Sequence, residues 1–125
     1  MKIVMLEPLA ISNETLEELS KGLKEKGHEF IAYDSVANDV SELVARISDA
    51  DAIIIANNPL PGEAIKAAPN LKFISVAFTG VDHIDIDACR EKNIKVSNAA
   101  GYSTQAVAEL AIGMIISKLR NIVEC

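Results

Sequence analysis

Apolar residues fall along this chain in short blocks with two different periods. Residues 2–6, 29–33, 52–56, 72–78 and 94–97 form brief runs rich in Ile, Val and Phe. The run at 72–78 is nearly continuous and predicts a buried strand of a parallel sheet, and the other runs predict four more strands. Between them the spacing becomes helical. Ser12 can cap a helix reaching about Lys26, with Leu16, Leu19 and Leu23 on one face and Gly27 as its stop. Asp39 and Glu42 stand at capping-box spacing, with Asp in place of Ser or Thr. Val40, Leu43, Val44 and Ile47 then make an apolar stripe. Pro61 suits the first turn of a short helix to about Ala68, and Asp85 caps another. Residues 103–123 predict a long helix that is apolar nearly all round.

Five strand–helix units with short connections predict an α/β fold with right-handed crossovers and helices on both faces of an open parallel sheet. The expected strand order is flavodoxin-like, 2-1-3-4-5, with its switch point between strands one and three. Ligands of such sheets bind outside the carboxyl ends of the strands. The crevice should be built by Glu7-Pro8, Asn57-Asn58, Thr79-Gly80-Val81 and residues 98–104.

Composition narrows the classes. At 125 residues a single domain is expected. A net charge of −6 argues against a nucleic-acid partner, which calls for a basic patch. The longest apolar stretch, residues 106–117, contains Glu109 and is too short for a membrane span. Met1-Lys2 leads straight into a strand, so no signal peptide is expected. Cys89 and Cys125 form no disulfide framework or metal spacing, and a cytoplasmic location is the simple reading.

Candidate chemistry lies in the turns. Consecutive backbone N–H groups can form an anion-binding nest without a cationic side chain. Gly80 and Val81 are placed to offer them, and Gly80 would also permit angles closed to other residues. Asn57 and Asn58 carry amides that suit substrate oxygens, though Asn before Pro59 equally suits a turn. Tyr102 opens the long helix on the crevice side, facing a ligand or half packed at an edge. Asp82, His83, Asp85 and Asp87 crowd together, but Asp is favoured at a helix start, and no metal is expected. Cys89 reads as a small buried apolar group. The six glycines nowhere have the G-x-G-x-x-G spacing of a dinucleotide turn.

The run TGVDHIDIDACREKNIKVSNAAGYSTQAVAELAIGM resembles the D-isomer-specific 2-hydroxyacid dehydrogenases, which reduce 2-keto acids with NADH. The matching pieces are T-G-V-D, ID-x-x-A-x-x-x-x-I-x-V-x-N and GYST-x-x-VAELAIG. The resemblance implies the same sheet order and a substrate-binding domain over residues 1–101. It implies that residues 102–125 form an interdomain helix leading to an absent nucleotide-binding domain, so the chain reads as truncated. It implies that the Gly80 and Val81 amides, in the turn begun by Thr79, hold the substrate carboxylate, and that Thr104 touches the nicotinamide. The family's catalytic histidine, glutamate and arginine lie further downstream. His83 matches none of them, so no catalytic residue is expected and the chain alone should be inactive.

NAD or NADP is then a cofactor of the full-length protein, with none expected on this piece. The expected partner is a small 2-keto or 2-hydroxy acid. The family often has arginine or serine near Asn57 and Asn58, and that departure leaves substrate size and charge open. The long helix should have the sheet on one side and a missing domain or second subunit on the other, which favours a homodimer. A stand-alone flavodoxin-like binding or dimerisation module is the alternative. A phosphoacceptor receiver is excluded because Glu7 lacks an acidic neighbour and the third strand ends at Ala56-Asn57. A flavodoxin is excluded because Glu7-Pro8-Leu9-Ala10-Ile11 supplies no phosphate loop.

Overall fold

A computed structural model of the protein describes residues 1–122. Ten elements alternate in chain order: β1 (Lys2–Met5), α1 (Asn13–Glu25), β2 (Glu29–Ala32), α2 (Val40–Ile47), β3 (Ala52–Ile55), α3 (Gly62–Ala67), β4 (Phe73–Val76), α4 (Ile86–Glu91), β5 (Lys95–Asn98) and α5 (Thr104–Leu119). All strands are parallel, in the order β2-β1-β3-β4-β5. This is the flavodoxin-like order expected from the sequence.

The register explains the core. Val4, Ile53, Ile74 and Val96 lie side by side along one face. They pack against Leu43 and Ile47 of α2, Ile65 of α3, and Ala88 and Cys89 of α4. On the other face α1 lies against β2, with Leu16 near Met5 and Ala32. Helices α2, α3 and α4 thus cover one face, and α1 covers the β2 side of the other.

Caps set the helix starts. Ser12 Oγ accepts the Thr15 N–H at 3.1 Å, Asp39 Oδ1 that of Glu42 at 2.8 Å, and Asp85 Oδ1 that of Ala88 at 2.9 Å. Each bond satisfies an amide that the first turn of a helix leaves orphaned. Glu42 reaches back one residue past the cap and accepts the Asn38 N–H at 2.9 Å. Gly27, at φ +75°, stops α1, and the His28 N–H turns back to the Leu23 carbonyl at 3.1 Å.

Three local expectations fail. Leu19 is 68% exposed, and Ser20 is buried in its place; the packed stripe is Leu16, Ser20 and Leu23. Pro61 is extended (φ −71°, ψ 153°) and precedes α3 rather than entering its first turn. The helix opens on Gly62, a position that needs glycine because a Cβ there would meet Asp85 Oδ2 at 2.3 Å.

The third correction concerns α5. One side was expected to pack on the sheet, yet no α5 residue is buried, and Val107, Leu110 and Ile115 are each at least 60% exposed. Gly101, at φ +89°, redirects the chain just before the helix and carries it off the sheet, so an apolar surface that calls for cover is left open. The end expected at about Val123 lies outside the described residues; α5 itself closes at Leu119.

Candidate functional site

The carboxyl edge of the sheet is built by four loops that hold one another. The Ala77 N–H continues the ladder from β4 to the Ile55 carbonyl at 2.7 Å. The turn at Thr79–Asp82 follows. Two of its carbonyls and the one before it are engaged: Phe78 O accepts the Ala99 N–H at 3.0 Å, Val81 O that of Ile84 at 3.0 Å, and Thr79 O the Asn98 side-chain amide at 2.6 Å. Its amides are not. The Gly80 and Val81 N–H groups have no acceptor among the described residues. Both residues are half-buried at the rim of the edge. Two consecutive free amides form a small set of anion donors, with the Asp82 carboxylate as their acidic neighbour.

Gly80 needs one correction. Its φ lies outside the left-handed region, so the turn does not use the angles reserved for glycine. A Cβ would meet only Asp82 Oδ2, at 3.5 Å. What glycine contributes here is an unobstructed approach to the backbone.

The loop after β3 is organised by Glu7, whose role the sequence reading missed. Glu7 is 2% exposed, and its Oε1 accepts the N–H groups of Ala56 at 2.6 Å, Asn57 at 3.0 Å and Asn58 at 3.3 Å. The backbone donors of Asn57 and Asn58 are thus taken, leaving their side chains for a ligand. The available signal was an acidic residue at the end of an apolar strand, on the switch point, with no basic neighbour. The Leu60 N–H donates to His83 O at 2.8 Å and the Asp85 N–H to Leu60 O at 3.2 Å. These bonds tie the loops after β3 and β4 into one edge.

Beneath β1 a second missed residue braces the same edge. Arg46 is 6% exposed and stacks on Tyr33 at 4.1 Å. It donates to Leu6 O at 2.9 Å and Ser35 O at 2.6 Å, and pairs with Glu42. A planar guanidinium with several donors can join three segments in this way.

The remaining candidates sit more openly. Thr79 is exposed; Tyr102 is 69% exposed, and Thr104 is exposed at the start of α5. Ser103 holds the cap position of α5 without a side-chain cap bond. Asp85 is spent on its cap and Asp87 pairs with Arg90 at 3.0 Å, which accounts for the acidic crowd at α4. His83 Nε2 is buried without a partner among the described residues. Burial, then the charge of Asp85, pushes the Cys89 thiol up, so it stays protonated and inert. A cavity of about 250 Å³ opens between Glu7, α2 and the loop after β3.

A dinucleotide does not fit the described residues alone. Its pyrophosphate calls for a glycine-rich turn at a helix start, and Thr104 offers one exposed hydroxyl.

An open parallel sheet of this order, with free amides at its carboxyl edge, belongs to the α/β class that takes ligands at that edge. Comparison with known proteins narrows that class. The family described as D-isomer specific 2-hydroxyacid dehydrogenase, catalytic domain, matches residues 3–119, and the chain belongs to this family. It is 35% identical over 117 residues to a hydroxypyruvate reductase of Blautia hydrogenotrophica, covering 93% of this chain and 35% of that enzyme. It is 35% identical over 122 residues to a D-3-phosphoglycerate dehydrogenase of Methanocaldococcus jannaschii, covering 97% of this chain and 22% of that one. The NAD-dependent formate dehydrogenase of Staphylococcus aureus, solved with NAD, superposes with a TM-score of 0.81 at 36% identity, over 99% of this chain and 40% of that one. The chain thus spans about a third of the length of these relatives, and less in one case.

Proposed function

We propose that this chain is the substrate-binding part of an NAD(P)-dependent D-2-hydroxyacid dehydrogenase. The observation that carries the reading is the pair of free amides at Gly80 and Val81, on the sheet edge where such folds take ligands. These two N–H groups receive the carboxylate of a 2-keto or 2-hydroxy acid. The side chains of Asn57 and Asn58 face its remaining oxygens across the neighbouring strand, and Tyr102 closes the site from the start of α5. Residues 1–101 serve as the substrate domain. Residues 102–125 lead to a nucleotide-binding domain, with Thr104 beside the nicotinamide of NAD or NADP. That cofactor supplies the hydride when bound. This chain's residues bind and orient the acid and contribute no proton-transfer group, so alone it binds without turnover. Its place is the cytoplasm.

The apolar circumference of α5 favours a homodimer, because a contiguous exposed apolar surface drives association. A binding or dimerisation module without catalysis is the second reading, and the same feature of α5 favours it.

An amide chemical-shift titration with pyruvate tests the proposal. The Gly80 and Val81 resonances should move saturably, ahead of the rest of the chain. NADH should give no comparable response and no turnover. Gly80 and Val81 resonances that stay still at saturating pyruvate would refute the anion site, and measurable turnover would refute the assignment of catalysis to other residues.

A further inference from the structure

The cavity between β1, α2 and the loop after β3 has no part in gripping a carboxylate, yet it opens on the same sheet edge. Its walls are Val36, Val40, Leu43 and Pro59, with Asn58 at the side nearer β4. Glu7 and Asp39 supply its charge, and no lysine or arginine lines it. Arg46 does not relieve this acidity, because its guanidinium is engaged with Glu42 and with carbonyls behind the wall. The amino end of α2 reaches the cavity, but the Asp39 carboxylate caps it. A volume of about 250 Å³ lies just below the range of small-molecule pockets and is ample for one part of a ligand.

From these features we infer that the cavity is a tail pocket for the substrate. It selects 2-oxo acids with an extended, uncharged apolar tail and rejects phosphorylated ones. The inference rests on the carboxylate site proposed at Gly80 and Val81. β4 and β1 flank β3, so the path from that turn to the cavity crosses two strand spacings, about 10 Å. The short skeleton of pyruvate or glycerate falls short of this span, whereas an aryl or long alkyl tail reaches it. Asn58 lies on the way and lines the cavity itself. An apolar tail gains from leaving water there. A phosphate would enter beside two carboxylates with no cation to meet it, and like charges at close range oppose binding. A hydroxyl at the far end of an aryl tail would find the Glu7 carboxylate as acceptor, since only its Oε1 is engaged by the backbone.

The test is an amide-shift titration of the whole chain with pyruvate, phenylpyruvate and 3-phosphohydroxypyruvate. Phenylpyruvate should bind at least about tenfold tighter than pyruvate and move Val40 and Leu43 as well as Gly80 and Val81. The phosphorylated acid should bind more weakly than pyruvate. Val40→Trp, which fills the cavity from an exposed position, should bring phenylpyruvate down to the affinity of pyruvate. The inference is overturned if phenylpyruvate gains nothing over pyruvate, if the phosphorylated acid binds best, or if Val40→Trp leaves the gain intact. Silence of Gly80 and Val81 with movement of Val40 and Leu43 would sink the carboxylate site and leave the apolar pocket standing.

Discussion

Glu7 Oε1 accepts the Asn57 N–H at 3.0 Å across the switch point, joining residues fifty positions apart. The same oxygen takes the N–H groups of Ala56 and Asn58, so one carboxylate terminates β3 and shapes the loop that carries both asparagines. Glu7→Leu would leave these part-buried donors without their acceptor. The expected cost is about 3 kcal/mol, read from the midpoint of urea unfolding, and Glu7→Gln, which keeps an acceptor oxygen, should cost clearly less. Equal losses in the two variants would show that the side chain matters only for its volume.

Gly62 and Asp85 meet where α3 crosses the start of α4. A Cβ at Gly62 would sit 2.3 Å from Asp85 Oδ2, and Asp85 cannot swing away without abandoning its cap on Ala88. Gly62→Ala should therefore destabilise the fold by about 1–3 kcal/mol in the same unfolding assay. The double variant with Asp85→Ala should recover part of that loss, since it removes the clash and forfeits only the cap. An unchanged midpoint for Gly62→Ala would refute the close approach.

Gly80 presents the opposite case. Its added Cβ meets nothing closer than 3.5 Å, so Gly80→Ala should leave stability within about 1 kcal/mol. It should nonetheless weaken pyruvate binding about tenfold by crowding the amides. Intact binding in this variant would separate the anion site from the Gly80 amide.

Acid sensitivity should trace to Glu42. The Asn38 backbone N–H, then Arg46 and the Asn38 side chain, hold its carboxyl down at about 2, against an ordinary 4.5. A carboxyl whose folded value is depressed stabilises the fold fully above the unfolded value. That contribution fades as pH falls from about 4.5 toward about 2. The stability advantage of the wild type over Glu42→Gln should be constant above that window and shrink through it. An advantage that does not change with pH would remove the ionised carboxylate from the account.

Exposed apolar residues on α5 make the last forecast. Ile112 is 58% exposed and Met114 59%. Sedimentation of the wild type should show a dimer, and Ile112→Glu should convert it to monomer with the sheet intact by circular dichroism. A wild type that sediments as a monomer at high concentration would refute association through this helix.

Much of the fold is written in local patterns. The Ile- and Val-rich runs locate all five strands, and Ser12, Asp39 and Asp85 mark helix starts because a cap needs only its own next few residues. Order 2-1-3-4-5 follows from alternation and crossover handedness. What escaped depends on contacts between distant segments. Glu7 looks like an ordinary turn residue until β3 is set beside it. Gly62 has no local need for glycine; its need comes from Asp85. Arg46 reads as a solvated helix charge until Tyr33, Ser35 and Leu6 surround it. At the candidate site, the Thr79–Gly80–Val81 turn was legible as a possible nest. The tail cavity beside it was not, because its walls come from four separate stretches of chain.

The joint at Gly101 makes α5 a lever. Its sixteen residues extend about 24 Å, so a rotation of about 10° at the joint swings the far tip by about 4 Å. The near end barely moves, because the Ala99 N–H is fastened to Phe78 and Asn98 to Thr79, on the turn that carries the free amides. The distance between the outer end of this arm and the free amides of the Thr79–Asp82 turn would then be set by the torsions of a single residue.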